Sequence, residues 1–458
     1  MKEAHISLHD PIAALATPLG TSALAVIRIS GDTCIEKLDS LFVSKAKLSA
    51  SLPNSIIHGI IYNPDTKEQI DEVMVAVFRR PKSYTGEDAA EISCHGSIAC
   101  VAKILEILRS AGFRDAGPGE FTLRAFTNGK MDLTQAEAVN EIIHAQSDKA
   151  RLLAFHRLSG KLSRAINTLK MKLVDILATI EIMIDYPDEE YEHQHIAIET
   201  LTDIEKRLSA LADTFRIGKT FQEGAIMAIA GKTNAGKSTL FNLLVKEERS
   251  IVSEYHGTTR DFIEEKIAIG GIPIRLYDTA GFRTGTDKEL HPVESEGIRR
   301  SENLISSADI ILYLVDASEG MTPDDNLYLE SHRDNPRIIP VWNKTDIQKS
   351  SAPDCFISMS CETQEGLHEI EKTVSTVLLG NTKDISETVM IDSQRQKEII
   401  DAAFAAVAQA KKQLKAHASY DLIAFDIREA VNHLGMLTGE VTTSDILNTM
   451  FDNFCVGK

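Results

Sequence analysis

Leu162, Ile166, Leu169, Leu173, Ile176, Ile180 and Met183 recur in steps of four and three, which puts them on one face of an α-helix that other helices must cover. The run Asp185-Tyr186-Pro187-Asp188-Glu189-Glu190 ends that helix, because proline has no backbone donor. Leu201, Ile204, Leu208, Leu211 and Phe215 then resume the same row. The carboxylates of the intervening stretch, with His193 and His195, read as a solvated acidic turn rather than a metal cluster. Upstream the pattern is shorter. Ala23 to Ile29 and Glu72 to Phe78 are apolar strands, and turns such as Ser83-Tyr84-Thr85-Gly86-Glu87-Asp88 punctuate a mixed α/β region up to about residue 120.

The period becomes helical from about residue 134 and changes again at Ala225. There, strand-like runs (Ala225 to Ala230, Ile272 to Tyr277, Ile310 to Val315, Arg337 to Val341, Cys355 to Met359) alternate with helices, the order of a doubly wound α/β domain. Ile400, Phe404, Val407 and Leu414 form one more helical stripe after about residue 380. The expected organisation is a multidomain chain of α/β plus all-α character, cut at 1–120, 121–221, 222–379 and 380–458. The α/β unit is inserted between two halves of a helical domain, so that its movement is felt by the helices.

At 458 residues the chain is too long for one ordinary core. Apolar residues make up 43% and charged residues 25%, and no apolar run approaches the roughly 20 residues that cross a bilayer. The opening MKEAHISLHDP has no signal-type apolar segment, so neither export nor membrane insertion is expected. Six scattered cysteines (Cys34, Cys94, Cys100, Cys355, Cys361, Cys455) include no CxxC pair of the zinc or redox type, in keeping with a reducing cytoplasm. Acidic residues outnumber basic ones 67 to 49, for a formal charge of −18. That balance opposes a broad phosphate-binding surface, so any nucleic-acid contact is local or borrowed.

Gly231-Lys232-Thr233-Asn234-Ala235-Gly236-Lys237-Ser238 fits the phosphate-binding loop, placed after a strand and before the apolar helix Leu240 to Val245. Glycines let backbone N–H groups converge on phosphate oxygens, Lys237 meets the outer phosphates, and the Ser238 hydroxyl suits Mg²⁺. Asp278-Thr279-Ala280-Gly281 ends another strand, where the carboxylate reaches the metal through water and the Gly281 N–H faces the terminal phosphate. Asn343-Lys344-Thr345-Asp346 ends a third. The Asp346 carboxylate can accept from the ring N–H and exocyclic amine of guanine, a donor pair that adenine lacks. Three motifs in this order specify a GTPase.

Gly257-Thr258-Thr259-Arg260-Asp261 lies between the first two motifs, where a mobile loop places a threonine on Mg²⁺. Thr258 and Thr259 are equal candidates from the residues alone. Ras-type enzymes follow Asp-x-x-Gly with a water-orienting glutamine, but Phe282 follows Gly281 here. A polar residue elsewhere must take that role, and the stretch to Gly297 offers Asp287, Glu289, Glu294 and Glu296.

These residues resemble the MnmE (TrmE) family of tRNA-modification GTPases over nearly the whole chain. The resemblance rests on Ala16-Thr17-Pro18, Ile27-Arg28-Ile29-Ser30-Gly31, Tyr84-Thr85-Gly86-Glu87-Asp88, Pro118-Gly119-Glu120-Phe121, Asp132 to Ala138 and the terminal Phe454-Cys455-Val456-Gly457-Lys458. It implies a Ras-like, doubly wound P-loop GTPase domain inserted in a discontinuous helical domain and preceded by an α+β tetrahydrofolate-binding domain that dimerises. It also implies a reaction. With the FAD-dependent partner MnmG, such a homodimer installs an aminomethyl or carboxymethylaminomethyl group on carbon 5 of the wobble uridine of certain tRNAs. A 5-formyl- or 5,10-methylene-tetrahydrofolate supplies one carbon.

Carried over by residue, the folate contacts fall on Arg28, Glu91, Lys130 and Lys458. The K⁺ that stimulates hydrolysis falls on Asn234, Ser253, Tyr255 and Thr258, and Mg²⁺ on Ser238 and Thr259. The water-positioning acid falls on Glu294, with Glu296 as the alternative because the stretch after Asp278 is about four residues longer than the family's. The nucleotide set is completed by Ala235, Gly236, Thr239 and the guanine loop Ser360-Cys361-Glu362, where the family usually has Ser-Ala-Lys or Ser-Ala-Arg. Cys455 is fourth from the end, but Gly457 and Lys458 make no prenylation box. The resemblance sets its thiol near the folate, in a catalytic role.

Overall fold

The computed structural model describes residues 10–186, 198–247, 264–278, 305–347, 351–380, 389–452 and 454–458. Contacts divide the chain into two compact units: Met1–Asn140 with Leu158–Asn167 and Leu434–Lys458, and Glu141–Arg157 with Thr168–His433.

The first unit is built on seven strands: β1 (Ile12–Leu15), β2 (Ser22–Ser30), β3 (Phe42–Ser44), β4 (Ser55–Tyr62), β5 (Gln69–Phe78), β6 (Ala89–Gly96) and β7 (Arg114–Asp115). They lie in the order β3-β4-β5-β6-β2-β1-β7, antiparallel except where β7 runs parallel to β1. Alternation decides the faces. Val73, Val75 and Val77 of β5 and Ala90, Ile92 and Cys94 of β6 point inward, where α1 (Cys34–Asp39) and α2 (Ile98–Ser110) add Ile35, Leu38, Val101, Ile104 and Leu108.

Next to this core, α3 (Glu120–Thr127) carries Arg124, 1% exposed, whose guanidinium meets Glu87 at 3.1 Å and Glu120 at 2.9 Å. Glu120 also takes a 2.6 Å contact from Arg114 and the Gly117 N–H at 2.9 Å. The C-terminal tail belongs to the same unit. Val456 bridges Pro118, the Gly119 N–H donates to Cys455 O (3.3 Å), and the Phe121 N–H donates to Lys458 O (3.2 Å). Gly119 has φ 63, and a Cβ there would fall 2.9 Å from Phe451 and Phe454, so the tail seats only against glycine.

In the second unit the helices α5 (Asp148–Leu158), α6 (Lys161–Asp185), α7 (Ile198–Asp213) and α8 (Phe215–Glu223) precede an α/β run; α4 (Leu133–His144), α5, α6 and the later helix Tyr420–Thr438 each span a unit boundary. That run comprises β8 (Ala225–Gly231), α9 (Lys237–Glu247), β9 (Glu264–Ile269), β10 (Ile272–Asp278), β11 (Ile310–Asp316), α10 (Pro323–Ser331), β12 (Ile338–Asn343), β13 (Ile357–Ser358) and α11 (Leu367–Leu379). Helices α12 (Gln394–Lys415) and α13 (Tyr420–Thr438) follow. The sheet order is β13-β12-β11-β8-β10-β9, parallel except for β9. Burial on both faces gives β11 its unbroken apolar run, every residue of it buried. Leu153 of α5, Phe221 of α8 and Met390, in the irregular chain before Gln394, share the core of one face.

The α6 stripe is buried from Leu162 to Ile180, as its spacing predicts, with Met183 half-buried. The row from Leu201 does not run on through Phe215. Thr214 interrupts it: its hydroxyl donates to Leu211 O at 2.6 Å and accepts the Ile391 N–H at 3.2 Å, so the side chain takes over backbone bonding and α8 starts afresh.

Burial alone would raise the Glu120 carboxyl, but the bonds from Arg114, the Gly117 N–H and Arg124 outweigh it and hold the group below the ordinary carboxylate range. Its stabilisation is therefore present above the unfolded carboxylate pKa and disappears as pH falls through the depressed value. Glu120→Gln should cost at least about 2 kcal/mol near neutral pH, because Arg124 keeps its burial and loses a counter-charge. Urea unfolding followed by circular dichroism should show parent and variant converging in acid. A gap that widens in acid would contradict this account.

Candidate functional site

The C-terminal ends of β8, β10, β11 and β12 form one edge of the second sheet, where open parallel sheets bind ligands. The loop after β8 turns on three left-handed positions, Gly231 (φ 128), Asn234 (φ 65) and Gly236 (φ 95). A Cβ at Gly231 would lie 2.3 Å from Leu314 O, and one at Gly236 2.3 Å from Asn343 Nδ2. Both glycines are required by close approach as well as by φ. Helix α9 starts at Lys237, so its first-turn N–H groups and positive dipole end face the loop.

Lys237 is 6% exposed, and its ammonium donates to Gly231 O (3.0 Å) and Lys232 O (2.7 Å). Burial holds it below the ordinary lysine range against the opposing pull of Asp278. Asp278 ends β10, 5% exposed, and its Oδ2 accepts from Ser238 Oγ at 2.8 Å. Its Oδ1 is buried with no hydrogen-bond partner among the described residues. A hydroxyl and a carboxylate with one oxygen unspent fit a hard divalent cation such as Mg²⁺. Thr239 is exposed on α9, and Ala235 is buried.

Asn343, 1% exposed at the end of β12, donates its amide to Ala235 O at 2.8 Å and accepts from Cys361 Sγ at 3.3 Å. Burial pushes the Cys361 thiol up to about 11, which keeps it a neutral donor. Lys344, with φ 67, donates to Asp316 Oδ2 at 2.6 Å. Burial would raise Asp316, but Lys344 and the Ser318 hydroxyl and N–H outweigh it, so the carboxyl lies below its ordinary range. The exposed Asp346 accepts from the buried Ser360 hydroxyl at 2.7 Å, and Thr363 N–H donates to that hydroxyl at 3.2 Å. Glu362 is exposed and has no hydrogen-bond partner among the described residues. Asp316 was not singled out from the sequence, although it ends an apolar strand as Asp278 does.

The first unit holds a second group of predicted residues. Arg28 donates Nε and Nη2 to Glu91 Oε1 (3.0 and 2.8 Å) and Nη1 to Gly457 O (3.0 Å). Its guanidinium carbon lies 5.4 Å from the Tyr84 ring centroid and 5.7 Å from that of Phe121. Both bonds reach one oxygen of Glu91, so Oε2 accepts none among the described residues. Lys458 is half-buried; burial first, then Arg28, hold its ammonium below the lysine range, while Glu91 and Cys455 pull the other way. Cys455 is a free, exposed thiol. Lys130 is exposed and donates to Pro81 O at 2.8 Å; among the described residues it makes no bond to Arg28 or Glu91. Ser253, Tyr255, Thr258, Thr259, Thr279, Ala280, Gly281, Phe282, Glu294 and Glu296 lie outside the described residues.

A family model described as the MnmE helical domain matches residues 133–455, and one described as the GTP-binding protein TrmE N-terminus matches residues 11–130. The tRNA modification GTPase MnmE of Borrelia recurrentis (strain A1) is 38% identical over 461 residues, covering 98% of each chain. That of Treponema denticola is 40% identical over 472 residues, covering 99% of each. The Carboxydothermus hydrogenoformans protein of the same name is 37% identical over 465 residues, covering 98% of this chain and all of its own.

Gly236→Ala tests the geometry of the nucleotide loop. The added methyl meets the Asn343 amide at a left-handed position, so affinity for a fluorescent guanine nucleotide should fall at least about tenfold, a loss of roughly 1.4 kcal/mol. Unchanged affinity would show that Asn343 is not held where its bond to Ala235 puts it.

Proposed function

Because this chain belongs to the MnmE family of tRNA-modification GTPases, we propose that it acts on the wobble uridine of certain tRNAs as a homodimer working with the FAD-dependent MnmG protein. The chain is a GTPase involved in tRNA modification. In the finer reading, an aminomethyl or carboxymethylaminomethyl group is built on carbon 5 of the base, with one carbon from 5-formyl- or 5,10-methylene-tetrahydrofolate. Residues 222–379 are the GTPase insert in a helical domain formed by 121–221 and 380–458, and residues 1–120 bind folate and dimerise. The cytoplasm is the compartment of this chemistry, and among the described residues no helix is long and apolar enough to cross a membrane.

The observation that carries the GTPase reading is the meeting of Lys237, Ser238, Asp278 and Asn343 at one sheet edge. Lys237 offsets phosphate charge, and the α9 N–H groups bind phosphate oxygens. Ser238 and Thr259 would hold Mg²⁺, which supplies further neutralisation. Asn234, Ser253, Tyr255 and Thr258 would hold K⁺, which supplies the positive charge an arginine finger gives elsewhere. Asp346 reads guanine through its carboxylate, of which only Oδ1 accepts a side-chain hydrogen bond among the described residues, from Ser360. Ser360, Cys361 and Glu362 border the base, Thr279, Ala280 and Gly281 border the outer phosphate, and Glu294 orients the attacking water. Hydrolysis is coupled to dimerisation of the GTPase domains.

The folate reading is supported by the unspent Oε2 of Glu91, an acceptor for a pterin amine, and by the Lys458 ammonium, a partner for a folate carboxylate. Arg28 is braced between Tyr84 and Phe121 beside them, Lys130 completes the set, and Cys455 would supply a thiol for the transfer.

Cells lacking this gene should lose the modified wobble nucleoside, read by mass spectrometry of digested tRNA; an unchanged profile would favour an assembly-factor GTPase without modification chemistry. Replacing KCl by NaCl at fixed ionic strength should slow GTP turnover about tenfold or more, since such charge stabilisation carries several kcal/mol. Equal rates in the two salts would remove K⁺ from the reading.

A further inference from the structure

Asp71 is an acid at the end of an aliphatic row. It follows the inward-facing parity of Val73, Val75 and Val77 on β5, and its carboxylate is 10% exposed. Cys94 occupies the matching place on β6, after Ala90 and Ile92, and is 1% exposed. Cys100 stands in the first turn of α2, where the Ser97 hydroxyl accepts its N–H at 3.1 Å. Strand, strand and helix thus bring one carboxylate and two thiols together, and their ligand atoms all lie within 4.8 Å of one another.

The orientation of the carboxylate is set from outside. His95 Nδ1 lies 2.7 Å from Asp71 Oδ1, and the His95 backbone N–H donates to Oδ2 at 2.8 Å. Oδ2 also faces Cys100 Sγ at 3.1 Å. A carboxylate oriented by an imidazole and turned toward thiols is the arrangement in which an outer partner fixes a metal ligand. Soft thiolates select ions of the zinc class, and three protein ligands leave a fourth position for water. Zinc bonds of about 2.3 Å to sulfur and about 2.1 Å to oxygen set ligand atoms roughly 3.5 Å apart, within small rotamer adjustments of this cluster. A disulfide between the two cysteines would leave Asp71 without the thiol donor it faces.

We propose that Asp71, Cys94 and Cys100 bind one soft divalent cation of the zinc class, with His95 as the residue that positions Asp71. The ion pins the first turn of α2 to the ends of β5 and β6. On binding, both thiols give their protons to solvent and the sulfurs become thiolate ligands; no oxidation or reduction is involved. This site is separate from the nucleotide and folate readings and does not rest on either.

Cobalt(II) is the probe. The full-length chain, reduced and stripped with a chelator, should take up one cobalt per chain, with thiolate-to-metal charge transfer in the near ultraviolet and strong tetrahedral bands in the visible. Cys100→Ser should abolish the charge-transfer band, and Asp71→Asn should weaken binding at least about tenfold. Cys355→Ser, which alters an exposed thiol elsewhere, should leave the band in place. Zn²⁺ should raise the unfolding midpoint of the parent but not of Cys100→Ser. If Cys100→Ser fails to fold, Asp71→Asn decides. No band in the parent, a band that survives Cys100→Ser, or unaltered affinity in Asp71→Asn would overturn the site.

Discussion

The hydrogen bond from the Asn343 amide to the Ala235 carbonyl ties the glycine loop after β8 to the strand that leads into Lys344-Thr345-Asp346. Without it the two halves of a nucleotide site would be set by separate loops. With it, the loop has one position relative to β12, and Gly236 must be glycine because the amide passes where a side chain would start. Cys361 donates to the other end of the same amide, so Asn343 is held from both sides in a buried place. Pre-setting both halves before a ligand arrives reduces the ordering that binding must offset.

The parallel sheet makes this arrangement possible. Its central strands are apolar on both faces and end together, so the first polar residue after each run falls at the same edge. Asp278, Asp316 and Asn343 are all such residues. Each has a specific partner: Ser238 for Asp278, Lys344 for Asp316, Ala235 for Asn343. Asp316 bonds Lys344, which sits at a left-handed position two residues before Asp346, and so shapes the loop that carries Asp346.

This edge was legible in the sequence because motif and strand period agree. Gly231 to Ser238, Asp278 and Asn343 to Asp346 each follow an apolar run, and the chemistry of each residue is stated by its neighbours along the chain. What stayed hidden depends on contacts between distant segments. Nothing local marks Arg124 as buried; Glu87 and Glu120 make it so. The apolar row carried on to Phe215 gives no sign of the break at Thr214, whose hydroxyl accepts the distant Ile391 N–H. Cys94 and Cys100 lack the spacing of a metal motif, and only the turn from β6 into α2 brings them beside Asp71. The Arg28 group was reached only through the family resemblance, since Glu91, Tyr84 and Gly457 meet Arg28 from separated stretches and no local spacing marks them.

The distribution of cations bears on how an acidic chain serves a reaction on RNA. Arg28, Arg79, Arg114, Arg124, Arg157 and Lys344 are each bonded to a carboxylate of the same unit: Glu91, Asp88, Glu120, Glu87 with Glu120, Glu141 with Asp392, and Asp316. A guanidinium already bridged to a carboxylate adds little field at the surface, because the pair is neutral beyond a few ångströms. Phosphate binding scales with the cations left free to displace counterions. An excess of 18 negative charges, with these cations paired to carboxylates, therefore leaves little field for a broad phosphate-binding surface on this chain and keeps any nucleic-acid contact local or borrowed.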